Sequence, residues 1–275
     1  MSLSYLASGF LLPTRITPSG EPAAALAEVG PWLAAKEVDT LVVVTSTWRT
    51  PSFVAADSLP GGLAGWPIDH ELAAATRAEG AAMGLAMGRG PADGSLLSCV
   101  SLLDGLSGHA LLPLSLALAS PERITDLGFA VHGAASALGR NPAILAFGHL
   151  SRGEGPTADA FDREVLALLG DGLGGRLLDM APDLWLGGRP DADLAHLIAL
   201  LGAVGGDTPG QCLAYSRTEG LGSAVVRFEQ QPDEPFAEIP ERQSSVIWLR
   251  AQPTLEDIVP PMHTPNGGTS SHGIS

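Results

Sequence analysis

The chain has 275 residues, 45% of them hydrophobic, which is enough to bury a large core in one domain. Acidic residues outnumber basic ones 30 to 15, for a net charge of -15, and no Lys/Arg cluster is present to neutralise a run of phosphates, which argues against nucleic acid as a partner. No apolar run is long enough to span a bilayer, and Cys99 and Cys212 stand alone without C-x-x-C spacing, so a cytoplasmic protein with no thiolate metal cage is expected.

In chain order, apolar β-branched runs alternate with longer helix-like stretches. Tyr5–Leu12 reads as a first strand; no basic residue precedes its apolar core and no small-residue cleavage pattern follows, so it does not read as a secretion signal. A helix over Glu21–Lys36, a strand over Thr40–Thr45 (TLVVVT), a helix over Asp69–Met87 and a strand over Leu96–Ser101 follow. Then come a strand at Pro113–Ala119, a helix over Asp126–Leu138, a strand at Ala143–Phe147 and a helix over Ala158–Leu169. A helix over Asp193–Leu201 is closed by Gly202, a short apolar segment covers Cys212–Tyr215, and Ser223–Phe228 reads as the final strand. Strands separated by helices need crossovers, so the expected fold is α/β: a single domain with a mostly parallel central sheet flanked by helices on both faces.

From Glu229 the composition changes. EQQPDEPFAEIPERQ is rich in Pro and Glu, VIWLR is a brief apolar touch, and a Pro-rich stretch ends in a Gly/Ser tail. The reading is a domain over residues 1–228 and a Pro-rich C-terminal arm over 229–275 that cannot build a core of its own.

Several chemistries are absent from the pattern. The glycines at Gly88–Gly94 precede a strand and those at Gly170–Gly175 follow a helix, so neither forms a phosphate loop at a helix start. GLSGH at Gly105–His109 nearly matches a serine-hydrolase elbow but has His where the turn needs Gly, and Asp104, Ser107 and His109 are too local for a triad. No two histidines share a metal-binding helical spacing. His132 and His196 fall inside amphipathic helices and read as surface or satisfied core residues, and His70 opens a helix, where a local role is expected.

Five segments nevertheless stand in a telling order: GFLLPTR, DTLVVVTSTW, AILAFGHLSRG, AFDREVLALLGDG, and LLGAVGG with CLAYSRTEGLGSAVVRF. Together they resemble the catalytic-subunit fold of the class III extradiol ring-cleavage dioxygenases, the group that includes protocatechuate 4,5-dioxygenase and 2-aminophenol 1,6-dioxygenase. The likeness covers most of residues 1–228. It implies a protein of aromatic-compound catabolism in which two histidines and a glutamate hold Fe(II), while further histidines act as acid and base. Carried over by position, the two iron histidines fall on Thr14 and Thr47, whose neutral hydroxyls do not replace imidazole. The acid/base histidine falls on Arg152, which stays protonated and cannot shuttle a proton. The glutamate falls near Asp191 and Asp193, either of which is a possible acidic ligand or a solvated acid at a helix start. A second-shell histidine falls on His109 in one register and is deleted in another that aligns Asp104-Gly105. His149, at the family's Asp position, either faces the pocket or caps the strand end.

Joint loss at Thr14, Thr47 and Arg152 is similar to the non-catalytic α subunit of 2-aminophenol 1,6-dioxygenase. The resemblance therefore implies a subunit that binds no metal or cofactor itself and pairs with a homologous catalytic subunit carrying Fe(II), or with a second copy of itself. An active enzyme with a remodelled site at His109, His149 and Arg152, acting on a small aromatic compound, is the alternative; a stand-alone binding protein that kept only the fold is a third reading.

Overall fold

The computed structural model describes residues 8–14, 21–46, 52–63, 65–92, 95–102, 106, 108–188, 190 and 194–229. They form one α/β unit around an eight-stranded mixed sheet. Its strands are β1 (Ser8–Leu12), β2 (Thr40–Ser46), β3 (Phe53–Ala55), β4 (Met87–Gly88), β5 (Ala110–Leu116), β6 (Pro142–Phe147), β7 (Gly210–Thr218) and β8 (Leu221–Glu229). The order across the sheet is β4-β3-β5-β2-β6-β1-β8-β7. The central four, β5-β2-β6-β1, run parallel, and β8 closes antiparallel on β1 with β7 antiparallel outside it. The arm at 229–275 lies outside the described residues apart from Glu229.

The helices are α1 (Glu21–Ala35), α2 (His70–Ala82), α3 (Ser95–Val100), α4 (Pro121–Leu138), α5 (Pro156–Gly170), α6 (Pro182–Gly188) and α7 (Ala195–Val204). Side chains alternate across each strand, so one face of the sheet gathers Phe10, Leu12, Leu41, Val43, Leu145 and Phe147 against Leu26, Val29 and Leu33 of α1 and Leu96 and Cys99 of α3. The other face receives α7, where Gly9 lies directly under Leu200 and Val204. All ten residues of α7 are buried, because α4 lies across its far side. The central strands read as continuous apolar runs for the same reason: both faces are covered.

Local signals set most element ends. Ser120 and Pro121 open α4, and Gly139, left-handed at φ 69°, closes it. Asp69 caps α2 by accepting from the Leu72 amide at 2.9 Å, and it also takes the Thr40 hydroxyl at 2.7 Å.

Five expectations need correction. Gly202 does not close the last helix but lies inside α7, which runs to Val204 and ends at Gly205. Leu96–Ser101 is not a strand: it belongs to helix α3, where Leu96, Cys99 and Val100 share the buried face and Leu97 is exposed. A short apolar run cannot be assigned by periodicity alone. The strand expected at Pro113–Ala119 runs over Ala110–Leu116, with Pro113 inside it, its carbonyl taken by the Ala56 amide. The helix begun near Asp69 ends at Ala82, and Met87–Gly88 forms the short strand β4. The segment at Cys212–Tyr215 extends into the nine-residue β7, bent by a bulge between Cys212 and Ala214. Strand β3 and helix α6 carry no signal that the sequence reading used.

The α4–α7 crossing depends on glycine. A Cβ on Gly128 would fall 2.3 Å from the Ala199 carbonyl oxygen and 2.6 Å from the Ala203 nitrogen, and one on Gly202 would fall 2.4 Å from the Thr125 carbonyl. All are backbone atoms that cannot swing aside. Gly128→Ala is therefore expected to destabilise the protein by about 1–3 kcal/mol through overpacking. Gly133→Ala on the same helix, whose Cβ would meet nothing closer than 3.8 Å, should be neutral or gain up to about 1 kcal/mol from helix propensity. Urea unfolding of the two variants checks the contrast.

Candidate functional site

In a sheet whose central strands run parallel, every strand ends at one rim, where open α/β folds place their sites. The last rung between β1 and β6 pairs Leu12 with Phe147, and the Gly148 amide then donates to the Leu12 carbonyl at 2.9 Å. Two residues beyond each strand end stand Thr14 and His149. The Thr14 Oγ1 lies 2.8 Å from His149 Nε2, and the Ser223 Oγ of β8 lies 3.0 Å from His149 Nδ1. His149 is 2% exposed. A neutral imidazole donates at one nitrogen and accepts at the other, so the two hydroxyls, each able to do either, suit it in either tautomer.

The position of His149 is fixed from behind as well. A Cβ on Gly148 would fall 2.2 Å from the His196 ring, so the glycine is what lets that buried ring of α7 lie flat beneath the strand end. His196 is thus a core residue and not a surface one, and α7 is buried all round and not amphipathic. His132 is half-buried with Nδ1 3.2 Å from the Ala203 carbonyl oxygen, and burial lowers its pKa despite that contact.

After His149 the chain runs as a short strip along the β7–β8 hairpin. The Leu150 amide donates to the Gly222 carbonyl, the Gly222 amide to the Ser151 carbonyl, and the Gly153 amide to the Gly220 carbonyl. Arg152 bridges Leu221 through its backbone and exposes its side chain on the same rim. The hairpin turns through Glu219 and Gly220, both at positive φ (52° and 75°).

A buried polar cluster underlies this strip. Asp162 of α5 is 0% exposed and pairs with Arg217 of β7, which also donates to the Ser151 hydroxyl at 3.0 Å and to the Gly153 carbonyl. The Tyr215 hydroxyl donates to Asp162 at 2.9 Å and lies 3.3 Å from Asp159. Burial pushes the Asp162 carboxyl above its ordinary range, against hydrogen bonds from Ser151 and Tyr215 and the charge of Arg217. Burial, then the Asp162 charge, pushes Tyr215 up to about 12. A Cβ on Gly222 would fall 1.9 Å from the Asp162 carboxylate, which explains that glycine. Phe161, the neighbour of Asp162, packs edge-to-face on Trp185 with ring centroids 5.6 Å apart. In the sequence, Phe-Asp and Gly-x-Gly served only as markers of resemblance; the fold makes them one cluster.

Of the expected site residues, Thr14 and His149 come together, and Arg152 shares their rim. His109 does not. It immediately precedes β5, whose first residue Ala110 pairs with Thr40, so it lies at the entering ends of the parallel strands. Seven residues of strand separate the two rims, roughly 20 Å. There its Nδ1 is 3.0 Å from the Leu106 carbonyl. Thr47, Asp104, Ser107, Asp191 and Asp193 lie outside the described residues. Ser223, which completes the contacts of His149, carried no sequence signal beyond its place in the final strand.

Among the described residues, the donors at this rim do not fit Fe(II). Thr14 offers a neutral hydroxyl where the resemblance calls for imidazole, and both nitrogens of the imidazole that is present face hydroxyls. Among the described residues, no group of three or more His, Cys, Asp or Glu could hold a metal ion.

Comparison with known proteins gives the fold and stops there. No family model and no curated protein matches the chain. Among solved structures, it is similar to the uncharacterized protein JW3007 from Escherichia coli K12, with a TM-score of 0.56 and 16% identity, covering 80% of this chain and 99% of that one. No helix of the described residues is long and apolar enough to cross a membrane.

Two outcomes test the site. Ser223→Ala removes the hydroxyl at His149 Nδ1 on the buried side and should cost about 1–3 kcal/mol, whereas Thr14→Val, at the half-buried side, should cost about 1 kcal/mol; urea titration measures both. The second concerns alkaline pH. Because folding raises the Tyr215 pKa to about 12, the stability that its neutral phenol contributes is complete below its ordinary pKa of about 10 and is lost as pH rises through the folded value. Ultraviolet titration should show a late phenolate step near pH 12 that Tyr215→Phe removes, leaving the signal of the other tyrosine, Tyr5.

Proposed function

We propose that this chain is a metal-free subunit of a class III extradiol-type ring-cleavage dioxygenase, supporting a homologous catalytic partner that carries the Fe(II). One observation carries this reading: the residue at the position of the first iron histidine, Thr14, is bound to an imidazole that faces hydroxyls on both sides. A rim built to grip a metal would leave a ring nitrogen pointing at open space; this one uses both nitrogens to tie β1, β6 and β8 together. The second support is the ordered resemblance of the five segments, four of which contribute to the rim and the cluster beneath it. The alternative of an active, remodelled site loses one member, since His109 sits at the other end of the sheet.

The test is co-expression with a homologue that keeps Pro-His, Ser-Pro-His and Leu-Ser-His at the corresponding strand ends. The expected result is a stable complex of the two chains, with iron and oxygen uptake on catechols or aminophenols found in the complex and not in this chain alone. Turnover by this chain alone in iron-replete medium would favour the remodelled enzyme. A monomer that ignores the homologue would overturn the proposal.

A further inference from the structure

The strip that follows His149 is held differently from everything around it. Ser151, Arg152 and Gly153 offer no apolar side chain to the core, in contrast to Leu150 just before them, which is fully buried. Their attachments are polar: the Gly222 amide donates to the Ser151 carbonyl at 3.1 Å, the Gly153 amide to the Gly220 carbonyl at 2.8 Å, and Ser151, itself fully buried, also bridges Pro190 through its backbone. One side chain holds both ends of the strip. The Arg217 guanidinium reaches the Ser151 hydroxyl and the Gly153 carbonyl at once, and its remaining charge is met by Asp162. The guanidinium is 17% exposed and the carboxylate fully buried. A segment with polar anchors and no buried apolar surface opens at much lower free energy than the sheet it lies on.

We infer that Ser151–Gly153 is a strap that opens locally beside His149, and that Arg217, seated on Asp162, is its latch. The planar fork of arginine suits the role, since two acceptors on one segment and a carboxylate on another are reached without rearrangement. Gly222 completes the device by letting the carboxylate sit against the hairpin, and Gly155, at φ 95°, provides the turn at which the strap leads into α5. Opening moves Arg152 and uncovers the neighbourhood of His149 while β1, β2 and β6 stay paired. Arg217 acts through the strap and is a positioning residue.

Amide hydrogen exchange on the full chain, read residue by residue, tests this. In Arg217→Lys, which keeps a cation beside Asp162 but cannot reach both strap acceptors, the amides of Gly153 and Gly222 should exchange several-fold faster, while those of Val43 and Leu145 in the central strands keep their rates. In Arg217→Met, which also leaves the buried Asp162 without its cation and lowers global stability, the acceleration at Gly153 and Gly222 should exceed that at Val43 and Leu145. Acceleration spread evenly over strap and central strands would make Arg217 a general stabiliser and overturn the latch. Unchanged rates at Gly153 and Gly222 would overturn it equally.

Discussion

The candidate site depends on β1 and β6 lying side by side and running the same way. That single pairing, ending in the Leu12–Phe147 rung, places two residues 135 positions apart in sequence within hydrogen-bonding distance. The pairing is itself enforced by burial on both faces. Alternate residues of β1 and β6 meet α1 on one side and α7 on the other, so a shift of one residue in register would turn each apolar set to the wrong layer. The site inherits its geometry from the core.

The antiparallel addition of β8 turns a rim of two strand ends into an enclosed position for His149. Ser223 closes the second nitrogen, and the hairpin beyond it offers Gly220 and Gly222 as docking points for the strap. Charge then does what apolar packing cannot do over three small or polar residues. A buried carboxylate with one arginine is a costly arrangement unless every group is paired, and removing one partner of such a pair typically costs about 3–5 kcal/mol. Here Asp162 Oδ2 takes both the Arg217 guanidinium and the Tyr215 hydroxyl, and the same arginine holds Ser151 and Gly153, so the buried pair is tied to the contacts that define the rim.

Much of this architecture could be read from the order of residues. The alternation of apolar runs with helix-like stretches is a local property, and TLVVVT and AILAF declare buried parallel strands by having no polar face. Leu96–Ser101 was illegible because a six-residue run with four apolar residues suits a strand or a helix equally well. Among candidate residues, Thr14 and His149 were legible because each sits at a fixed offset from a strand end that the sequence marks. The register that put His109 at the pocket does not match the fold, because its side of the sheet depends on where β5 begins, and Pro113 suggests a later start than the fold adopts.

The sequence by itself determined the α/β class, the principal central strands and the residue types available at their ends, since those follow from apolar periodicity and chain order. It also determined that the residues at Thr14 and Arg152 cannot do the work of imidazole, because that is a property of the side chains. Only the tertiary structure decided which ends are neighbours: that His149 meets Thr14 and Ser223, that His109 faces the opposite rim, and that Asp162, Tyr215, Arg217 and Gly222 form one cluster. These are contacts across 53 or more positions between α5 and β7, and their partners are fixed by strand order and register, which no local pattern encodes.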